Sequence, residues 1–367
     1  MLKTLSDIPR KRPDAVRSVA LRHILKRVSR SFYLSLIVLS KPVREQIGLA
    51  YLFCRAADTI ADTPILPRSE RRQALDMFRQ QFELPIPKVE DLDCLKRQLL
   101  PHQATAGEEA LLQSLPTCFG LYRTFSDLDQ ELIRTLVLTL IKGMDMDLAH
   151  FPAEASQTVR ALPTSDDLDL YTYYVAGVVG VFWTRMHAAH FRTLRRCDIE
   201  GLCQRGIRFG QGLQMTNILK DIAHDFKLGR CYLPASELAA LQVEVLDLQH
   251  SATLARIWPL LDRLMYLTLE HLDQARDYIC ELPMAMVRLR LSCMWPLLFA
   301  VQTLATICQS PDLLSPETRV KIPRGDIYRT MARSLWYLLS RRAFVAHYTS
   351  LRQEVVRGLQ TRILYKS

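Results

Sequence analysis

Apolar residues recur with helical spacing along almost the whole chain, and in two places the pattern leaves one polar stripe on an otherwise apolar helix. From about Leu202 to Phe226, Ile207, Leu213, Ile218, Leu219 and Ile222 cover much of the surface. Gly210, Gln214, Asn217, Asp221 and Asp225 then fall at steps of four, three, four and four along one face. Gly229 is placed to close this helix, and Pro234 to keep it from resuming. From Glu45 to Thr63, Ile47, Leu49, Leu52, Phe53, Ala57 and Ile60 surround a second stripe of Tyr51, Arg55, Asp58 and Asp62 at steps of four, three and four. Further helices are predicted over 68–82, 92–100, 107–123, 127–149, 252–281, 284–309 and 326–348. Another runs through Tyr171 to about Phe191, with Ser165 as its N-cap. Few runs of β-branched residues lie between turn signals, so the pattern predicts an all-α chain.

A carboxylate buried on an apolar helix is costly unless it is paired, hydrogen-bonded or bound to a cation. A single D-x-x-x-D is commonly an exposed, salt-bridged face. Two copies, each on the only polar stripe of its helix, point instead to the walls of a wet cavity holding a divalent metal. Oxygen ligands of this kind suit Mg²⁺, which keeps several waters and takes one or two carboxylates together with phosphate oxygens. Arg55, one turn before Asp58, suits a phosphate.

Composition narrows the class. Thirteen glycines in 367 residues are few, and the length allows one large helical domain. Lys and Arg number 48 against 38 Asp and Glu, a net charge of +10 that attracts polyphosphate or anionic lipid. With no zinc-finger spacing or aromatic RNA-binding signature, nucleic acid is not expected as a partner. Residues 1–18 read as a mobile basic arm, a candidate for peripheral contact with an anionic membrane, ahead of a helical domain over 19–367. Nine scattered cysteines without a C-x-x-C pair fit reduced thiols, and Met1 to Pro13 carries no apolar run of signal-peptide length. The strongest apolar run, Leu291 to Val301, is short of the roughly 20 residues needed to span a bilayer. The reading is a cytoplasmic monomer, peripheral at most to the inner face of a membrane.

Four motifs together carry a resemblance. Ser29-Arg30-Ser31-Phe32, the stripe ending in Asp58 and Asp62, Tyr171 to Gly180 (YTYYVAGVVG), and the stripe ending in Asp221 and Asp225 resemble the head-to-head prenyl synthases, that is squalene, dehydrosqualene and phytoene synthases. The likeness runs from about residue 20 to 345. It implies an isoprenoid synthase-type helical fold in which the two aspartate helices face each other across a central cavity. It also implies that Asp58, Asp62, Asp221 and Asp225 hold Mg²⁺. Ser29, Arg30, Ser31, Phe32, Tyr51, Arg55, Gln214, Asn217 and Arg230 would then contact a prenyl diphosphate. By the same resemblance Lys142 to Asp147 lines the prenyl channel, Tyr171 handles a proton, and two farnesyl diphosphates couple through presqualene diphosphate. NADPH, held near Asn217, Lys220, Lys321 and Arg324, would reduce that intermediate to squalene.

The sequence departs from the pattern at several points. Ala61 and Thr63 replace acids frequent in the first motif, His224 replaces a Glu in the second, and Pro323 stands at a usually basic position beside Lys321. Met294-Trp295-Pro296 resembles carotenoid-forming relatives. Squalene synthase is the first expectation. Dehydrosqualene or phytoene synthase, or a non-catalytic lipid-binding relative, are the alternatives.

Overall fold

The computed structural model describes residues 24–28, 32–63, 66–84, 88–103, 105–151, 158–315, 317–318 and 320–364. The basic arm and Ser29, Arg30 and Ser31 lie outside them, as does the side chain of Phe32, the first residue of α1 (Phe32–Val38). The first stripe lies on α2 (Lys41–Ala61). There follow α3 (Arg68–Glu83), α4 (Val89–Leu99), α5 (Ala106–Gln113), α6 (Leu115–Tyr122) and α7 (Asp127–His150). The helix predicted over 107–123 is two helices, because Pro116 is favoured in a first turn and the chain bends at Ser114.

Next come α8 (Ser165–Thr172), a π-helical turn (Tyr173–Gly177), α9 (Val178–His190) and α10 (Ile199–Lys227), which carries the second stripe. The chain finishes with α11 (Ala235–Ala240), α12 (Leu254–Glu281), α13 (Val287–Gln309), α14 (Arg324–Leu339) and α15 (Arg341–Leu364). The helix expected over 326–348 is thus also two, broken at Ser340, and the second continues to Leu364. Among the described residues the fold is all-α apart from a two-residue parallel pair, β1 (Arg160–Ala161) with β2 (Arg230–Cys231). Ser165 is not the N-cap of α8. Thr164 is, in a reciprocal capping box with Asp167, while the Ser165 hydroxyl donates to Glu237 at 3.0 Å.

α10 runs through the middle of the molecule, packed on α12, α9, the π turn and α13, while α2 packs on α7, α3 and α9. α9 therefore touches both stripe-bearing helices. Its approach to α10 is a backbone-to-backbone contact: a Cβ on Gly180 would lie 2.0 Å from the Gly206 carbonyl oxygen, and one on Gly210 2.1 Å from that of Ala176. The glycines of the YYVAGVVG run thus serve the approach of a helix. Behind α2, Phe53, Phe78, Phe82, Phe119 and Tyr122 form one aromatic cluster with centroids 4.7–6.5 Å apart. α13 contains the run Leu291–Val301 but is 23 residues long, enough by length and composition to cross a membrane. It packs against α1, α10, α12, α14 and α15, and 67% of its most apolar window is buried in the fold.

Candidate functional site

Both predicted stripes reach one polar basin. Asp58 lies in the last turn of α2, and Asp62 caps that helix by donating its backbone N–H to the Asp58 carbonyl. Asp221 and Asp225 lie in the last two turns of α10. Just past α10, Gly229 adopts φ 78°, a left-handed conformation that suits glycine, and the chain turns into β2. Pairing of β2 with β1 in register Arg160↔Arg230 then fixes Arg230 between the two helices. Its guanidinium meets Asp62 Oδ1 at 2.9 Å and Asp147 Oδ2 at 3.8 Å. One arginine thereby ties the second motif to the first.

Asp147, on α7, is the centre of the basin, although the sequence placed it only in a channel-lining stretch. Its Oδ2 accepts from the Tyr232 hydroxyl at 2.8 Å and the Tyr171 hydroxyl at 3.4 Å. The two phenols lie 3.2 Å apart, with rings stacked at 4.8 Å. Its Oδ1 is buried with no hydrogen-bond donor against it. Within the stretch Lys142 to Asp147, Met144 and Asp147 border a small pocket of about 20 Å³ with Asp62, Arg68, Arg71 and Arg230. Gly143 lets the π turn close on α7, since a Cβ there would lie 2.6 Å from a Val175 methyl.

Three carboxyls in this basin are pushed up to about 7: Asp58, Asp147 and Asp225. Burial is the largest cause in each, and the next contribution is Asp62 for Asp58, and Asp221 for Asp225. For Asp147, Arg230 and the Tyr232 hydrogen bond pull the other way, favouring the charged form. Asp225 also feels Asp147 and Asp62, so carboxylates from three helices share one field. Burial works against the charge of Arg230, but Asp62 and Asp147 more than offset it and hold the guanidinium ionised. Burial and the nearby Asp147 carboxylate raise the Tyr171 phenol well above its usual range, so it stays a hydrogen-bond donor.

The remaining expected residues divide. Arg55 stands 3.9 Å from Asp58 but is held at 2.8 Å by Glu108, itself part of the N-terminal cap of α5. The Tyr51 hydroxyl donates to the Val28 carbonyl at 3.4 Å, directly before the Ser29-Arg30-Ser31 segment. Lys220 pairs with Asp221 at 3.2 Å and donates to Asn217 Oδ1 at 3.4 Å. Gln214 and Gly210, further along the same stripe, line an apolar cavity of about 160 Å³ with Val175, Val179, Phe209 and Pro296. Polar mouth and apolar cavity thus follow one another along a single helix face. Lys321 and Arg324 are exposed, Arg324 at the first turn of α14, a helix packed chiefly on α13 and α15.

Sequence reasoning missed Glu108 and Tyr232 and undervalued Asp147. Only Asp147 left a signal, an acid facing inward on a largely apolar helix. Among the described residues, no three acidic, histidine or cysteine side chains form a ready metal cage. Crowded carboxylates with raised pKa, an orphaned Asp147 oxygen and an all-oxygen donor set nonetheless fit Mg²⁺ completed by water and phosphate oxygens.

The Squalene/phytoene synthase family model matches residues 25–326. The bifunctional lycopene cyclase/phytoene synthase of Blakeslea trispora is 29% identical over 286 residues, covering 77% of this chain and 43% of that protein. The presqualene diphosphate synthase of Rhodopseudomonas palustris is 31% identical over 217 residues, covering 59% of this chain and 62% of that one. The chain thus spans less than half the length of the bifunctional relative. Among solved structures, a TcSQS complex with the ligand E5700 superposes with TM-score 0.71 at 20% identity, covering 94% of this chain and 98% of that one. A dehydrosqualene synthase complex gives TM-score 0.62 at 19% identity, covering 90% and 100%. These likenesses establish the isoprenoid synthase-type fold.

Proposed function

The chain belongs to the squalene/phytoene synthase family, and we propose that it joins two farnesyl diphosphates head to head to give presqualene diphosphate. The observation that carries this reading is the single stripe of α10. It runs from an apolar cavity at Gly210 and Gln214 to the carboxylates at Asp221 and Asp225, so a prenyl chain can lie below a diphosphate bound at the mouth. Asp58, Asp62, Asp221 and Asp225, with Asp147 behind them, would hold Mg²⁺, which when bound supplies Lewis-acid stabilisation to a departing diphosphate. Arg55 and Arg230, each now held by a carboxylate, would also donate to phosphate oxygens, and Arg30 and Lys220 would add charge at the rim.

Departure of the first diphosphate leaves an allylic cation in the apolar cavity, where water that would quench it is excluded. The double bond of the second substrate supplies the electron pair, and a proton must then leave carbon to close the cyclopropane. Tyr171 and Asp147 would take that proton: the phenol oxygen would accept it while passing its own to Asp147, whose carboxyl is pushed up to about 7 and so accepts and releases a proton near neutrality.

Reduction by NADPH to squalene extends this reading, with Asn217, Lys220, Lys321 and Arg324 as its candidate holders. The family's other outcome, loss of a proton to dehydrosqualene or, from C20 substrate, phytoene, is favoured by Pro296 in the cavity wall, part of the Met294-Trp295-Pro296 run. Purified protein incubated with Mg²⁺ and C15 or C20 diphosphate, with and without NADPH, tests all of this by pyrophosphate release and gas chromatography. Absence of pyrophosphate release would overturn the reading. Products indifferent to NADPH would restrict it to coupling, and preference for C20 would move it to phytoene.

A further inference from the structure

α14 buries one face in the fold and leaves an opposite, apolar face outside it. Inward, Thr330, Ser334 and Tyr337 are buried. The Trp295 indole donates to Ser334 and the Gln302 amide to Thr330, both at 2.9 Å. Outward, Tyr328, Leu335, Trp336 and Leu339 are 69%, 62%, 63% and 76% exposed, more than any other large apolar side chain among the described residues. Their spacing of seven, eight and eleven from Tyr328 sets three of them in one stripe, with Trp336 at its edge. Exposed Arg329 and Arg333 lie along one margin of the stripe, on the Trp336 side, and exposed Arg341 and Arg342 open the next helix. Asp326 is the one acid on α14, and it is paired with Arg329 at 3.2 Å.

We propose that this outer face of α14 docks the protein on an anionic lipid bilayer, with Leu335, Trp336 and Leu339 entering the headgroup boundary and the arginines meeting lipid phosphates. An amphipathic helix lying in the interface has this composition, apolar and aromatic residues on one side with cations at the margin. The charge also selects the occupant. A second copy would bring the same arginines against each other, whereas an anionic surface favours each of them.

The position of the face fits the reaction. α13 alone separates it from the apolar cavity: Ser292, Cys293 and Pro296 line the cavity on one side of α13, and Trp295 meets α14 on the other. The cavity therefore lies one helix away from the proposed lipid face, close to where a water-insoluble hydrocarbon would be delivered. That last clause rests on the proposed function. The docking itself does not, and it is measured without turnover.

Trp336 provides the probe, because Trp183, Trp258 and Trp295 are all buried. The full chain is mixed with phosphatidylcholine vesicles with or without phosphatidylglycerol, carrying lipids brominated high on the acyl chain. Tryptophan quenching is expected with the anionic vesicles and should disappear in Trp336→Phe, which keeps a ring for binding. Co-sedimentation with the same vesicles should fall at least about tenfold in Leu335→Ser/Leu339→Ser, with helical content and pyrophosphate release in vesicle-free buffer unchanged. Quenching that survives in Trp336→Phe, or co-sedimentation indifferent to the double variant, would overturn the assignment in favour of another surface. A dimer in vesicle-free sedimentation that the double variant abolishes would overturn it in favour of a second copy of the chain.

Discussion

On α2 the carboxyl pushed up to about 7 is the upstream one, Asp58, whereas on α10 it is the downstream one, Asp225. The two D-x-x-x-D pairs have the same spacing, yet each divides into unlike members. In each, the other carboxylate has a protein cation against it: Arg230 lies 2.9 Å from Asp62 and Lys220 3.2 Å from Asp221. The motif as written along the chain is repeated, but the contacts its members make are not. What differs is which carboxylate has a cation in direct contact: Arg230, which also reaches Asp147, meets Asp62, and Lys220 meets Asp221, while Arg55 stands 3.9 Å from Asp58.

The comparison is broken most sharply at the inner pair. Asp58→Asn and Asp225→Asn should each lower pyrophosphate release by about 10²–10³, the scale for removing one preorganised electrostatic partner, while the circular dichroism spectrum stays helical. Near-normal turnover in both would remove the metal assignment. Next in size is Tyr171→Phe, which keeps the stacked ring and leaves Tyr232 donating to Asp147. Coupled product should fall about 10–100-fold while release of the first diphosphate falls much less. Equal losses in the two assays would make Tyr171 structural only.

The outer pair sharpens the contrast. Asp62→Asn and Asp221→Asn should cost about tenfold, less than their inner partners, since Arg230 and Lys220 already neutralise part of their charge. Losses as large as those of Asp58 and Asp225 would show that the four ligands act alike.

The smallest effect is on stability, and its sign follows from the raised inner carboxyls. A folded pKa near 7 against an unfolded value near 4 means that the native state binds more protons than the unfolded chain between those values. Metal-free stability should therefore fall as pH rises from about 4 through 7. Mg²⁺ competes with those protons, so its apparent affinity should weaken about tenfold from pH 8 to pH 6 for each carboxylate that must ionise. Thermal unfolding in EDTA and in Mg²⁺ across this range reads both trends. A metal-free melting temperature that climbs from pH 5 to 7 would contradict them.

The sequence by itself determined what depends on the helical period. An apolar helix with one polar stripe can be recognised from spacing alone, so Asp58, Asp62, Asp221, Asp225, Arg55 and Gln214 were legible as members of two stripes, and the class of the fold followed from the same repeat. What the period does not carry is partnership between distant segments. Asp147 became central only because α7 brings it under Tyr232, 85 residues on, and Arg230 joined the two motifs only through the strand pair with Arg160. Arg55 found Glu108 in the same way, and the π turn at Tyr173–Gly177 answers to glycine-mediated contacts with α7 and α10 that no local propensity encodes. α14 marks the limit most clearly. Its most apolar stripe is exposed while Thr330, Ser334 and Tyr337 are buried, so a hydrophobic pattern points to the wrong face. Packing against α13 decided which face is buried, and left Trp336 and Leu339 in the solvent.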